Sequence, residues 1–216
     1  MGKDASPKGW PSSIPYLSQP SFAPHLTKAQ KECLRIRSPD LTATIPSNFP
    51  RGPCSLVRIV PIKELSHPAN GQAGLFAARQ LEPGTLILPY YGLVHSSLPP
   101  HCITYDKSDY DLWLNREAGV AVDAEKAGNE ARFVNDYRGV RDRPNAEFRQ
   151  CWDVRSGQQC MAVFVLPAGK NTPAKTGAGG IAKGTEILVS YGKGFWSKRK
   201  EEQEATEGGM HEPTRG

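Results

Sequence analysis

Three short stretches of this 216-residue chain carry side chains that could do chemistry. They are Gly128-Asn129-Glu130-Ala131-Arg132-Phe133-Val134-Asn135-Asp136, then Pro144-Asn145, then Lys183-Gly184-Thr185-Glu186-Ile187-Leu188-Val189-Ser190-Tyr191-Gly192. Asn135, Asn145 and Tyr191 stand in compact mixtures of polar and apolar residues, an unusual setting for plain core filling. Amides and a phenol hold and orient a reactant by hydrogen bonding. The plain alternatives are a core tyrosine that ends a strand and an asparagine that caps a turn.

The first stretch resembles the Arg-Phe-x-Asn-His segment of SET-domain protein-lysine methyltransferases. The third resembles their Gly-x-Glu-[Leu/Ile]-x-x-x-Tyr segment, which ends in the catalytic tyrosine. Two further pieces join them. Gly71-Gln72-Ala73-Gly74-Leu75-Phe76-Ala77 is similar to the family's Gly-x-Gly-Leu-Phe-Ala element, and Leu88-Pro89-Tyr90-Tyr91-Gly92-Leu93-Val94 to its Glu-Tyr-x-Gly-x-Val. The four follow one another in the family's order across residues 55–196, with Asp123-Ala124 ahead of Asn129.

The resemblance implies a β-rich α+β SET fold, with several small sheets around a pseudoknot-like core and few short helices. It implies a protein-lysine N-methyltransferase that uses S-adenosylmethionine and no metal. Such an enzyme needs a neutral lysine amine, and a narrow apolar channel beside a sulfonium lowers the amine's pKa. Alignment and exclusion of water then do most of the work. By resemblance Tyr191 supplies the orienting hydroxyl. The cofactor would be met by Gly71, Gln72, Ala73, Gly74, Arg132, Phe133, Asn135, Asp136, Phe195 and Trp196. The channel walls would come from Tyr90, Tyr105, Tyr110 and Trp113, while Asn145 would pin the threaded segment. The implied partner is a lysine-bearing protein or peptide such as a histone tail, met in the nucleus rather than the cytoplasm.

The sequence departs from the pattern in places. Gln72 replaces a glycine, Pro89 an acidic residue and Asp136 the histidine after Asn135, so a negative charge sits where the cofactor is expected. No cysteine-rich flank is present on either side. A catalytically inactive SET module that binds a peptide or chromatin partner is the alternative, favoured by Gln72 and Asp136.

Composition sets wider bounds. An apolar fraction of 38% supports a core, while Gly 21 and Pro 19 argue for many short strands rather than long helices. No stretch approaches the ~18 apolar residues of a membrane span. The start, Met1-Gly2-Lys3-Asp4-Ala5-Ser6, lacks an apolar signal region but fits the short myristoylation pattern. Five widely spaced cysteines, never Cys-x-x-Cys, point to a reducing compartment rather than a disulfide frame or zinc cluster. Net charge is +5, with seven Lys/Arg against three Asp/Glu in residues 1–52. These basic residues are scattered and not interleaved with aromatics, so direct nucleic-acid binding is not expected.

The elements that must position these residues can be read coarsely. Residues 1–52 carry eight prolines and read as an extended, partly ordered arm. Only Leu26 to Arg37 suits a helix there, with Thr27 as its cap. The SET domain is expected over 53–196. Strands are predicted over Ser55–Val60, Gly74–Ala78, Thr85–Leu88, Tyr110–Leu114, Val120–Asp123, Cys160–Leu166 and Thr185–Ser190. Pro89 should end its strand or place it at an edge. A short helix is predicted over Ala127–Val134. Residues 167–180 are low-complexity and read as a mobile loop, and 197–216 as a charged tail.

Overall fold

Short runs of β-branched and aromatic residues, punctuated by Gly and Pro, can form only short strands, and these gather into small sheets. A computed structural model of the chain describes residues 6–167, 180–197 and 199. The loop 167–180 and the tail 197–216 lie almost wholly outside the described residues, as does the start of the chain with its myristoylation pattern.

The elements run β1 (Ser21–Phe22), α1 (Lys28–Leu34), β2 (Thr44–Ile45), β3 (Val57–Pro61), β4 (Ala73–Ala77), β5 (Leu86–Tyr90) and β6 (Leu93–Ser96). After a 3-10 turn at His101–Thr104 come β7 (Asp111–Asn115) and β8 (Val120–Asp123). A second 3-10 turn, Glu130–Phe133, leads to β9 (Asn135–Asp136), β10 (Ala146–Asp153), β11 (Gln158–Val165) and β12 (Leu188–Val189). Residues 193–197 are helical. One four-stranded sheet has the order β1-β6-β8-β7 and another β2-β10-β11-β5; β3 pairs β4, and β12 pairs β9 in parallel. The chain is thus a β-rich α+β protein of several small sheets with few short helices, as the motifs implied. Among the described residues no helix is long and apolar enough to cross a membrane.

Residues 6–52 are built into these sheets rather than set apart as an arm. β1 adds in parallel to β6, and β2 to β10. Tyr16 bridges Gly128, with Leu17 N–H donating to Gly128 O at 2.7 Å. Helix α1 forms where Thr27 predicts it. The Thr27 hydroxyl accepts from Gln30 N–H, and the Gln30 side chain accepts from Thr27 N–H, both at 3.2 Å. This closes a capping box. Gln30 also donates to Ser96 Oγ and to the carbonyls of Ala118 and Gly119, which ties α1 to the β6–β8 sheet. Leu26 and Leu34 are buried in the main core beside Leu75, Ile87, Val163 and Ile187.

Two other expectations shift for physical reasons. The Ala127–Val134 helix shrinks to one 3-10 turn. The Asn129 side chain donates to Pro89 O at 2.8 Å and accepts from Tyr91 N–H at 3.1 Å, so it caps nothing. Strand β5 runs on through Pro89 to Tyr90, and it can do so because β5 is an edge strand.

The segment carrying β12 is held on three sides. Ile187 N–H donates to Leu75 O at 2.8 Å, and β9 flanks Leu188 and Val189. Asn145 closes the third side: its Nδ2 donates to Glu186 O at 2.7 Å and its Oδ1 accepts from Leu188 N–H at 2.8 Å. Such threading fixes the residues before Tyr191 against β9 and β4.

Candidate functional site

A cleft of about 1320 Å³ opens between β7, the end of β9's approach and the segment 190–195. Tyr90, Tyr105, Tyr110, Trp113, Arg132, Tyr191 and Phe195 all line it. The four aromatics expected as channel walls thus line the same cleft as Tyr191. Tyr105 lies flat on His95, ring centroids 3.4 Å apart, and His95 Nε2 is 2.9 Å from Asp111 Oδ1. Tyr90 donates its hydroxyl to Tyr110 O at 2.6 Å and meets Phe148 edge to face. Trp113 sits on the exposed side under the Arg116 guanidinium.

Tyr191 is fixed at both ends. Its N–H donates to Asp136 Oδ2 at 2.7 Å and its hydroxyl donates to Val134 O at 2.8 Å. Burial, then the nearby Tyr110, Asp136, Asp109 and Glu186, push the phenol well above its ordinary range. The hydroxyl stays un-ionised at neutral pH, and its single proton is committed to Val134. What it offers the cleft is an oxygen with lone pairs. Phe195 packs edge to face on Tyr191 at 4.9 Å, and Trp196 on Phe195 at 5.4 Å.

Asn135 points elsewhere. It is not among the residues lining the cleft; its Nδ2 donates to Glu186 Oε1 at 2.9 Å and reaches Ala73 O at 3.5 Å. Successive residues of an extended strand face opposite sides. Accordingly the Asn135 side chain meets β4 and the Asp136 side chain meets the Tyr191 backbone. Glu186 Oε2 lies 3.0 Å from His67 Nε2, and His67 Nδ1 accepts from Ala69 N–H at 3.0 Å. Gly74 permits this approach. A Cβ there would sit 2.5 Å from Glu186 Oε1 and 3.1 Å from Asn135 Nδ2. Gly71, at φ +81°, turns the chain into β4 with open space around it.

The negative charge of Asp136 is met within the protein. Arg138 Nη1 donates to both its oxygens at 3.2 and 3.0 Å, and Arg138 N–H to Oδ1 at 2.9 Å. Trp196 Nε1 also donates to Oδ2 at 3.3 Å. A buried carboxylate with this many donors is a brace between β9 and the Tyr191–Trp196 segment.

The predicted cofactor residues therefore fall into groups. Ala73, Gly74 and Asn135 form one neighbourhood around Glu186, while Gly71 N–H bonds Ile62 O. The Gln72 backbone is spent on Ala69 O and Ile62 N–H. Asp136 and Trp196 bond each other. Arg132 and Phe195 line the cleft, but the Arg132 guanidinium is held by Ala124 O and Glu125 O and lies over the Tyr110 ring. Phe133 packs on Trp10 at 5.7 Å, against the N-terminal segment rather than in the cleft. The residues not foreseen are His67, Arg138 and the role of Glu186. Glu186 lay inside the Gly184–Tyr191 motif, and Arg138 two places after Asp136, whereas nothing local marked His67. Among the described residues no cluster of His, Cys, Asp and Glu could hold a metal ion.

No protein-family model and no curated protein sequence matches the chain. Solved structures do. A humanized mutant of the Chaetomium thermophilum Polycomb Repressive Complex 2 bound to the inhibitor GSK126 matches at TM-score 0.47 and 19% identity, over 64% of this chain and 15% of that one. ctPRC2 in an autoinhibited conformation bound to S-adenosylmethionine matches at 0.47 and 22%, over 68% and 17%. The crystal structure of the Chaetomium thermophilum complex matches at 0.44 and 23%, over 63% and 15%. The chain spans less than a fifth of the length of these chains.

Proposed function

We propose that this chain is a SET-type protein-lysine N-methyltransferase using S-adenosylmethionine. The observation that carries the reading is Tyr191: an un-ionised hydroxyl, its proton committed to Val134 O, at the wall of an aromatic cleft. S-adenosylmethionine, when bound, supplies an electrophilic methyl on a sulfonium.

The residues present fit that group. Asn135 offers a carbonyl oxygen, Gly71 an open backbone bend and Trp196 a flat aromatic face, while Arg138 neutralises Asp136. Asn135, Gly71, Gly74 and Trp196 would hold the cofactor. On the cleft side, Tyr90, Tyr110 and Phe195 strip water from an entering lysine and favour its neutral amine. Tyr191 Oη accepts from that amine and sets its line of attack. Asp109 on the cleft is paired with Arg199, and Asp111, 2.9 Å from His95 Nε2, is a cleft carboxylate left to attract a lysine-bearing peptide such as a histone tail. A nuclear, chromatin-facing protein follows from that substrate.

A binding-only module is the second reading, favoured by the turn of Asn135 away from the cleft. Isothermal titration with S-adenosylmethionine separates the two. Saturable heat supports the transferase; no heat at millimolar cofactor supports the module.

A further inference from the structure

His67 and Glu186 form a buried pair, each side chain 7% exposed. Their hydrogen bonds run in one direction. His67 Nδ1 accepts the Ala69 N–H, so the ring is neutral and carries its proton on Nε2, which donates to Glu186 Oε2. Glu186 Oε1 accepts from Asn135 Nδ2. A carboxylate can only accept, so the Asn135 amide must turn its nitrogen inward and present Oδ1 outward. Among the described residues no donor reaches that oxygen, and no Lys or Arg pairs with Glu186. The result is a buried negative charge braced by two neutral donors, with an amide oxygen beside it. Gly74, where a Cβ would come within 2.5 Å of Glu186 Oε1, lets the β4 backbone close over the pair.

We infer that His67 is a positioning residue which, through Glu186, fixes the Asn135 amide so that Oδ1 and the Glu186 charge receive the α-ammonium of the cofactor. This rests on the proposed function and extends it to a residue outside the four motifs. The ligand it selects is a cationic amino-acid group, since a buried, uncompensated carboxylate favours a positive partner.

The test is a ratio of affinities measured by calorimetry on the full chain. The probes are S-adenosylhomocysteine and S-adenosyl-4-thiobutyrate, which differ only by the ammonium. Wild type should prefer the first by about tenfold or more, the worth of one charge-assisted hydrogen bond. His67→Leu and Glu186→Gln should bring that ratio close to one. His67→Gln, whose amide can accept from Ala69 and donate to Glu186, should keep it. Thermal melts of each variant show that the ratio is read on folded protein, and the two substitutions serve as independent probes should one fail to fold. A ratio unchanged in His67→Leu and Glu186→Gln overturns the inference alone, as does a wild-type ratio near one. A wild type that binds neither probe overturns the transferase reading, and the inference with it.

Discussion

Replacing Gly74 by alanine puts a methyl 2.5 Å from Glu186 Oε1 and 3.1 Å from Asn135 Nδ2. The backbone at Gly74 has no left-handed φ, so alanine itself is not strained there. The crowded atom ends a flexible side chain, but that side chain is buried and held by His67 and Asn135. To make room, Glu186 must move off at least one of these partners. Losing one hydrogen bond to a buried carboxylate costs about 1.5–3 kcal/mol. Alanine returns roughly 0.4–1 kcal/mol by restricting the unfolded chain. A net loss of about 1–2 kcal/mol follows, or roughly 2–8 °C in Tm for a chain of this size. Urea denaturation followed by tryptophan fluorescence reads it, and titration with S-adenosylhomocysteine should show weakened binding alongside. Gly157→Ala, between β10 and β11, is the control. It suffers from its φ of +62° but meets nothing within 4 Å, so stability falls while the Glu186 network and affinity hold. Gly74→Ala as stable and as tight-binding as wild type would refute the close packing of β4 on Glu186.

Three other outcomes are expected. Leu34→Ala should cost about 2–5 kcal/mol in urea denaturation, because helix α1 fills the main core; a loss under about 0.5 kcal/mol would make the N-terminal segment dispensable. Asp136→Asn removes the charge that holds Arg138, Tyr191 N–H and Trp196. Arg138 is partly exposed, so the cost should be only about 1–2 kcal/mol, and unchanged near-ultraviolet circular dichroism of Trp196 would count against the brace. Tyr191 and Tyr90 have folded-state phenol pKa values raised above the ordinary 10.0. Their contribution to stability is complete below pH ~10 and lost as pH rises further, when unfolded phenols ionise. Phenolate absorbance of these two tyrosines should then appear together with unfolding, and its appearance in the folded protein would contradict their burial.

Much of this arrangement is visible in the sequence where the signal is local. Thr27 and Gln30 announce helix α1, alternating apolar residues announce β3, β7 and β8, and Gly184 to Tyr191 marks the segment that reaches the cleft. Strand β10 was hidden because Glu147, Arg149 and Gln150 break the apolar pattern; pairing with β11 along all eight residues decides it instead. The N-terminal residues were hidden for a related reason. Strands β1 and β2 have two residues each, and they exist only because β6 and β10 offer edges far along the chain. Asn135 was legible as a polar residue with a task, but its direction was not, since Glu186 sets it from 51 residues away and is itself held by His67 across 119. The charge of Asp136 looked like an obstacle to a cofactor until Arg138 was found folded back on it.

Transfer of a radiolabelled methyl group from S-adenosylmethionine to lysine-bearing protein, comparing wild type with Tyr191→Phe, bears most directly on the role given to Tyr191. The substitution keeps the ring against Phe195 and removes only the oxygen that faces the cleft. Wild type should label its substrate, and Tyr191→Phe should fall by about 10²-fold while remaining folded. Equal labelling by the two proteins, or none by wild type across cell extract, would contradict the account.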